Sequence, residues 1–301
     1  MVEGRRGHNK ISGGCANPPP FDRAPDRSLA MPGVPLHPPA GGPPPRTGED
    51  LSVTDAQSKE SDLGVRVASA VVMVVVAGAA LWLGGWAWGI FVLLLAIGVL
   101  FEWWGLVRKF GISPRAKALW VFGGIFYVGL AAAMMMVLRQ ASPPLSNDAA
   151  WVLLVLSPVI ATDIGAYFTG RAIGGPKIAA SISPSKTWSG LLGGAFAAAV
   201  VMVWLTSRSR IFGDLADSGI PWLSVGFGVA VAVTAQIGDF FESWMKRRAG
   251  TKDSGRLIPG HGGLFDRLDG LLAVLFVCGL VMVAAIAQSL LFGEGLLPTP
   301  T

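Results

Sequence analysis

LDGLLAVLFVCGLVMVAAIAQSLLF, residues 268–292, has an acidic side chain at its second position, Asp269, and no further charge as far as Phe292. At about 1.5 Å of rise per residue, a helix of this length crosses a hydrocarbon layer roughly 30 Å thick. Working outward, six more runs of the same kind occupy 67–84, 86–106, 118–138, 151–168, 188–206 and 222–240. Backbone groups inside lipid have no water to bond, so each run is read as a helix. The fold class is therefore all-α: a polytopic integral membrane helical bundle of about seven transmembrane helices, or up to nine if short or re-entrant segments are added. Trp86, Trp120, Trp151, Trp188, Trp204, Trp222 and Trp244 cluster near span ends, as an interfacial aromatic belt does. Gly84-Gly85 makes the connection between the first two spans very tight.

Composition agrees. Charged residues are 14% of the chain and apolar residues 52%, against about 25% charged in soluble domains. The charges crowd the first 66 residues and a few short stretches between apolar runs. Residues 1–64 hold most of the prolines, including Pro18-Pro19-Pro20 and Pro43-Pro44-Pro45. They lack the apolar content for a core and read as a disordered, Pro-rich N-terminal arm. Residues 65–301 read as the transmembrane catalytic domain. Cys15 and Cys278 lie in unlike settings, so neither a disulfide nor a zinc site is expected.

The net charge of +5 belongs to loops. Arg108, Lys109, Arg115 and Lys117 follow span two. Arg171, Lys177 and Lys186 follow span four. Lys246, Arg247, Arg248, Lys252, Arg256 and Arg267 follow span six. The alternate connections carry only Arg139, Arg208 and Arg210. The positive-inside rule puts the arm and the three basic loops in the cytoplasm, in a multi-pass protein of the cell (plasma) membrane. A basic balance distributed this way implies no nucleic-acid partner.

The densest chemistry runs from Gly238-Asp239 through Ser243 and Lys246-Arg247 to Lys252-Asp253, then Pro259-Gly260-His261-Gly262-Gly263 and Asp266-Arg267-Leu268-Asp269. Asp239 ends one apolar run and Asp266 opens the next, so both carboxylates are expected at one membrane depth. Asp239 and Ser243 share a helix face, as do Asp266 and Asp269. Carboxylates are costly at that depth and need partners. Hard oxygens from two helices suit Mg²⁺ shared with substrate phosphates. Lys246, Arg247, Lys252 and Arg267 supply cations for a triphosphate, and His261 a phosphate contact or a loop brace. The glycines before span seven allow close approach to a helix N-terminus, which favours anions.

A second constellation is Asp163-Ile-Gly-Ala-Tyr167 with Arg171, followed by Ser183-Pro184-Ser185-Lys186-Thr187 before span five. Asp163 lies inside span four, with Tyr167 and Arg171 one and two turns on. An intramembrane carboxylate is a functional candidate by default, with a structural Asp–Arg or Asp–Tyr pair as the competing account. The stretch 183–187 reads as a helix start able to hold phosphate. Glu102, beside Trp103-Trp104, is a buried partner or an interfacial residue.

Both constellations resemble the phosphatidate cytidylyltransferase family (CDP-diacylglycerol synthases). In that family Ser, Lys-Arg, Lys-Asp, His-Gly-Gly and Asp-Arg-x-Asp recur at set spacings, met here by Ser243, Lys246-Arg247, Lys252-Asp253, His261-Gly262-Gly263 and Asp266-Arg267-Leu268-Asp269. The similarity covers roughly 65–292. It implies CTP and phosphatidic acid as substrates, transfer of a cytidylyl group in phospholipid synthesis, Mg²⁺ with room for a second cation, and a homodimer in the lipid bilayer. It implies that Asp239 and Asp266 hold the metal, with Asp253 or Asp269 assisting. Lys246, Arg247, Lys252 and Arg267 would then grip the triphosphate, and Asp163, Arg171 and Lys186 would line the phosphatidate side. Tyr167, Ser183, Ser243 and His261 complete the expected substrate contacts. Ser185 stands where the family usually has a second Lys and Ser189 where Glu is common, which weakens the phosphate grip expected of that loop.

Two other classes compete. Asp266-x-x-Asp269-Gly270-x-x-Ala273 resembles the start of a CDP-alcohol phosphotransferase motif. That motif continues with Arg, where this chain has Val274, and needs two later aspartates that the apolar run lacks. A transporter also carries charges in a helical bundle, but no internal repeat is seen and the charges gather at one face. The orientation is testable in a Cys15→Ser, Cys278→Ala background. Arg115→Cys should react with a membrane-impermeant maleimide only from the cytoplasmic side, and Ser209→Cys only from outside. The opposite labelling pattern overturns the topology.

Overall fold

The computed structural model describes residues 48–140, 149–208, 221–258, 260 and 262–292. The chain divides into two compact units between Leu51 and Ser52, and the description that follows concerns the second. Seven helices form it: α1 (Gly48–Leu83), α2 (Gly85–Val107), α3 (Pro114–Gln140), α4 (Ala150–Ala172), α5 (Trp188–Arg208), α6 (Pro221–Arg248) and α7 (Phe265–Phe292). Each contains a stretch long and apolar enough to cross a membrane. The chain is a multi-pass membrane protein built as a helical bundle.

The expected arm lies outside the described residues up to 47. Within the second unit the backbone is helical from Ser52 through residue 64 into the first span. Ala56, Gln57, Lys59 and Glu60 are good helix formers, so polarity there ends the apolar run but not the helix. The same holds at α6. Its apolar run stops at 240, yet the helix continues to Arg248. Asp239, expected at a helix end, thus sits well inside one.

α6 stops at Gly250, whose φ of 66° only glycine adopts without strain. The Thr251 N–H bonds the Lys246 carbonyl and the Gly250 N–H bonds the Arg247 carbonyl. This paired arrangement closes the helix end and turns the chain back toward α7.

Apart from α1, the bundle is two groups of three helices. α2 and α3 pack on α7, and α4 and α5 pack on α6. The groups meet chiefly along the α6–α7 seam. α4 and α5 approach closely because glycines face each other: a Cβ on Gly165 would sit 2.6 Å from the Gly193 carbonyl oxygen. In the other group, Trp103 is buried and its indole N–H donates to the Trp120 carbonyl. Its ring lies 5.7 Å from both Phe241 of α6 and Phe265 of α7. This aromatic cluster ties α6 and α7 to α2 and α3 beside the site.

One element departs from the all-helical expectation. β1 (Lys177–Ala179) and β2 (Ser183–Thr187) form a small antiparallel hairpin, with Lys177 opposite Thr187. Gly174 and Gly175 adopt positive φ and Pro176 follows, so α4 cannot run on. The stretch 183–187, expected as a helix start, is a strand. Only its last residue has the expected capping role: Thr187 Oγ1 accepts the Gly190 N–H at 3.1 Å. Gly165→Leu should overpack the α4–α5 contact and cost about 1–3 kcal/mol or more, read as a lowered unfolding temperature in detergent.

Candidate active site

The site forms where the second half of α6 meets the first turns of α7. The helices run antiparallel, and their acidic residues meet in two rungs one turn apart. In one rung Asp239 of α6 faces Asp269 of α7. Asp239 Oδ1 is so close to α7 that a Cβ on Gly270, next to Asp269, would come within 3.3 Å of it. Close approach also needs Gly238, whose Cβ would lie 2.5 Å from the Asp269 carbonyl oxygen. In the other rung Glu242 of α6 and Asp266 of α7 share Lys246, whose Nζ lies 2.8 Å from each.

A second lysine serves the first rung. Lys186, from β2, reaches across to pair with Asp239. Asp163 of α4 faces the same Asp239–Lys186 pair. The expected pair, Asp239 and Asp266, is therefore one turn apart rather than level, and each carboxylate has its own lysine. Lys186, expected on the lipid-substrate side, bridges that side to the carboxylates.

Asp266 has a further task. Its Oδ2 accepts the Gly263 N–H at 3.0 Å and the Ser254 N–H at 3.1 Å. The first bond is half of a capping box at the start of α7. The next two N–H groups, of Leu264 and Phe265, donate to Glu102 at 3.1 and 2.8 Å. The Ser254 hydroxyl donates to Glu102 as well. The N-terminus of α7, expected to receive a phosphate, is thus already occupied by the chain's own carboxylates. Gly255 and Gly263 permit this, since a Cβ on either would collide with Glu102 or Ser254.

The other expected residues are spread around this centre. Asp253 is exposed, near Gly262 and Asp266. Arg247 donates from Nε to the Ile182 carbonyl in the hairpin loop at 3.3 Å. Lys252 and Arg267 are exposed and Ser243 is half-buried. Ser183 opens β2. The Arg171 guanidinium donates to the Tyr167 hydroxyl at 2.8 Å. His261 lies outside the described residues.

Asp163, Tyr167, Arg171, Lys186 and Gln236 line a half-open cavity of about 420 Å³ between α4, β2, α5 and α6. It adjoins the first rung through Lys186. Four participants escaped the sequence reading: Gln236, Glu242, Ser254 and the capping role of Glu102. Glu102 and Gln236 share one signal, a polar side chain inside an apolar run. Ser254 has none, because its role depends on a loop that folds back onto α2.

The family model described as the cytidylyltransferase family matches residues 115–285. A phosphatidate cytidylyltransferase of Brucella suis is 38% identical over 220 residues, which is 69% of this chain and 77% of that protein. One from Rickettsia bellii is 31% identical over 244 residues, covering 78% of this chain and 98% of its own length. One from Haemophilus influenzae is 37% identical over 186 residues, covering 58% and 63%.

Removing the Glu102 carboxylate leaves buried N–H groups at the start of α7 without partners. Glu102→Ala should lower stability by roughly 3 kcal/mol, on the scale of lost hydrogen bonds to a charged group. Glu102→Gln, which keeps one acceptor oxygen, should fall between. Thermal unfolding in detergent measures both.

Proposed function

The chain belongs to the cytidylyltransferase family, and we propose that it is a phosphatidate cytidylyltransferase, converting CTP and phosphatidate to CDP-diacylglycerol and pyrophosphate. The observation that carries this reading is the two-rung ladder of Asp239, Asp269, Glu242 and Asp266 with Lys186 and Lys246. It adjoins a cavity bordered by membrane helices, where a lipid head group can meet a nucleotide.

The chemistry asks little of side-chain bases. A phosphate oxygen of phosphatidate, already ionised at neutral pH, attacks the α-phosphorus of CTP. A P–O bond forms there, the bond to the α–β bridging oxygen breaks, and pyrophosphate leaves with the electron pair. No proton has to be taken from the nucleophile. The site accordingly needs cations and dipoles aimed at phosphate oxygens, not a nucleophile–base pair. Lys186 and Arg171 hold the lipid phosphate at the cavity. Lys246, Arg247, Lys252 and Arg267 attract the triphosphate from the loop side, with Ser243, Ser183 and Tyr167 as neutral contacts and His261 as a phosphate contact.

Magnesium fits the donor set. Mg²⁺ is a hard ion that takes one or two carboxylates and fills its remaining positions with phosphate and water oxygens. Four carboxylates face two lysines in the ladder, formally two negative charges in excess, and Glu242 Oε1 is buried without a hydrogen-bond partner. Asp239, Asp266 and Asp269 would hold Mg²⁺, with Asp253 at the loop side and charge to spare for a second cation. When bound, the ion offsets the repulsion between two anions and the charge gathering on pyrophosphate.

The basic loops support a cytoplasmic ladder and N-terminus, in the plasma membrane. The family resemblance supports a homodimer.

Asp239→Asn should lower turnover about a hundred- to a thousandfold, the scale seen when one preorganised electrostatic contact is lost, with an unchanged elution profile and unfolding temperature. Near-normal turnover by the folded variant would sink the carboxylate assignment. Chelation with EDTA should abolish liponucleotide formation from labelled CTP, and added Mg²⁺ should restore it.

A further inference from the structure

The cavity between α4, β2, α5 and α6 contains a polar group that no step above uses. Gln236 lies on α6 one turn before Asp239, on the same face. It is only 4% exposed, lines the cavity, and its Nε2 has no hydrogen-bond partner. An unpaired buried donor is costly, and an apolar side chain of similar volume would avoid that cost. The donor is compensated when an acceptor enters the cavity.

The position says what acceptor fits. Three residues of helix put Gln236 about 4.5 Å from Asp239 along α6, toward the middle of the span. Arg171, in the last turn of α4, and Lys186 lie on the other, polar side of the cavity. A glycerophospholipid whose phosphate meets Lys186 and Arg171 carries its acyl ester carbonyls a few bonds deeper into the bilayer. Those carbonyls are neutral acceptors with no donor of their own, the complement of an amide N–H. A triphosphate or a cytosine ring belongs on the aqueous side instead. We propose that Gln236 Nε2 donates a hydrogen bond to an acyl ester carbonyl of the lipid substrate, and so selects ester-linked over ether-linked phosphatidate. This rests on the lipid substrate proposed above.

The test assays the purified full chain, with Mg²⁺ and saturating CTP, on dioleoyl phosphatidate and on its dialkyl ether analogue. In the unaltered protein the KM for the ether lipid should be at least about tenfold higher. Gln236→Met should raise the KM for the diacyl lipid to that of the ether lipid, leaving the KM for the ether lipid and for CTP where they were. Equal KM values for the two lipids in the unaltered protein overturn the proposal, with no variant needed. A Gln236→Met protein that loses turnover on both lipids in parallel assigns the amide to packing and also overturns it. A raised KM for CTP assigns the amide to the nucleotide, with the same consequence. If the unaltered protein makes no liponucleotide from either lipid, the cytidylyltransferase reading itself fails and this proposal falls with it.

Discussion

Carboxylates carried inside membrane-spanning helices have to be neutralised by something the same helices can reach. Water is scarce at that depth, and an unpaired charge there is expensive. In this protein α6 and α7 meet the demand together. Their acidic side chains fall into register as two rungs, and a lysine bridges or pairs each rung. Gly238 and Gly270 let the backbones come close enough for the rungs to form. The arrangement leaves more carboxylate than lysine, so it is held together and still disposed to accept a hard cation.

The rest of the fold serves that seam. On one side the Trp103 cluster packs α2 and α3 against Phe241 and Phe265, next to the rung residues in sequence. Glu102 then fastens the start of α7 by its backbone N–H groups. On the other side α4 and α5, drawn together by facing glycines, support the hairpin that delivers Lys186. A short strand is an economical way to present that lysine. Successive side chains of a strand alternate between two faces, so the pairing of Lys177 with Thr187 fixes the side on which Lys186 projects.

Much of this was legible beforehand, for identifiable reasons. The seven spans follow from run length and hydropathy, which the bilayer enforces regardless of packing. The motif residues from Asp239 to Asp269 stand out because charge is rare in such a chain. Helix ends were less legible. α6 outlasts its apolar run because Glu242, Lys246 and Arg247 are good helix formers outside lipid too. Residues 183–187 looked like a helix start because Ser, Pro and Thr favour both N-caps and hairpins, and only Thr187 acts as a cap. Glu102 looked ambiguous because its partners are backbone groups more than 150 residues away, and backbone leaves no trace in side-chain spacing.

What the amino-acid sequence carried alone was the class of the molecule, the runs long enough to span a bilayer and a list of candidate residues for phosphate chemistry. Each depends on composition and local period. Tertiary structure alone decided which carboxylate faces which, that Asp266 caps α7 while bridging to α6, that Lys186 crosses from a hairpin to Asp239, and that Gln236 ends in a cavity with a donor to spare. Those outcomes depend on the relative register of helices distant in the chain. Register is set by glycine contacts and ring packing between them, interactions that no single stretch of sequence contains.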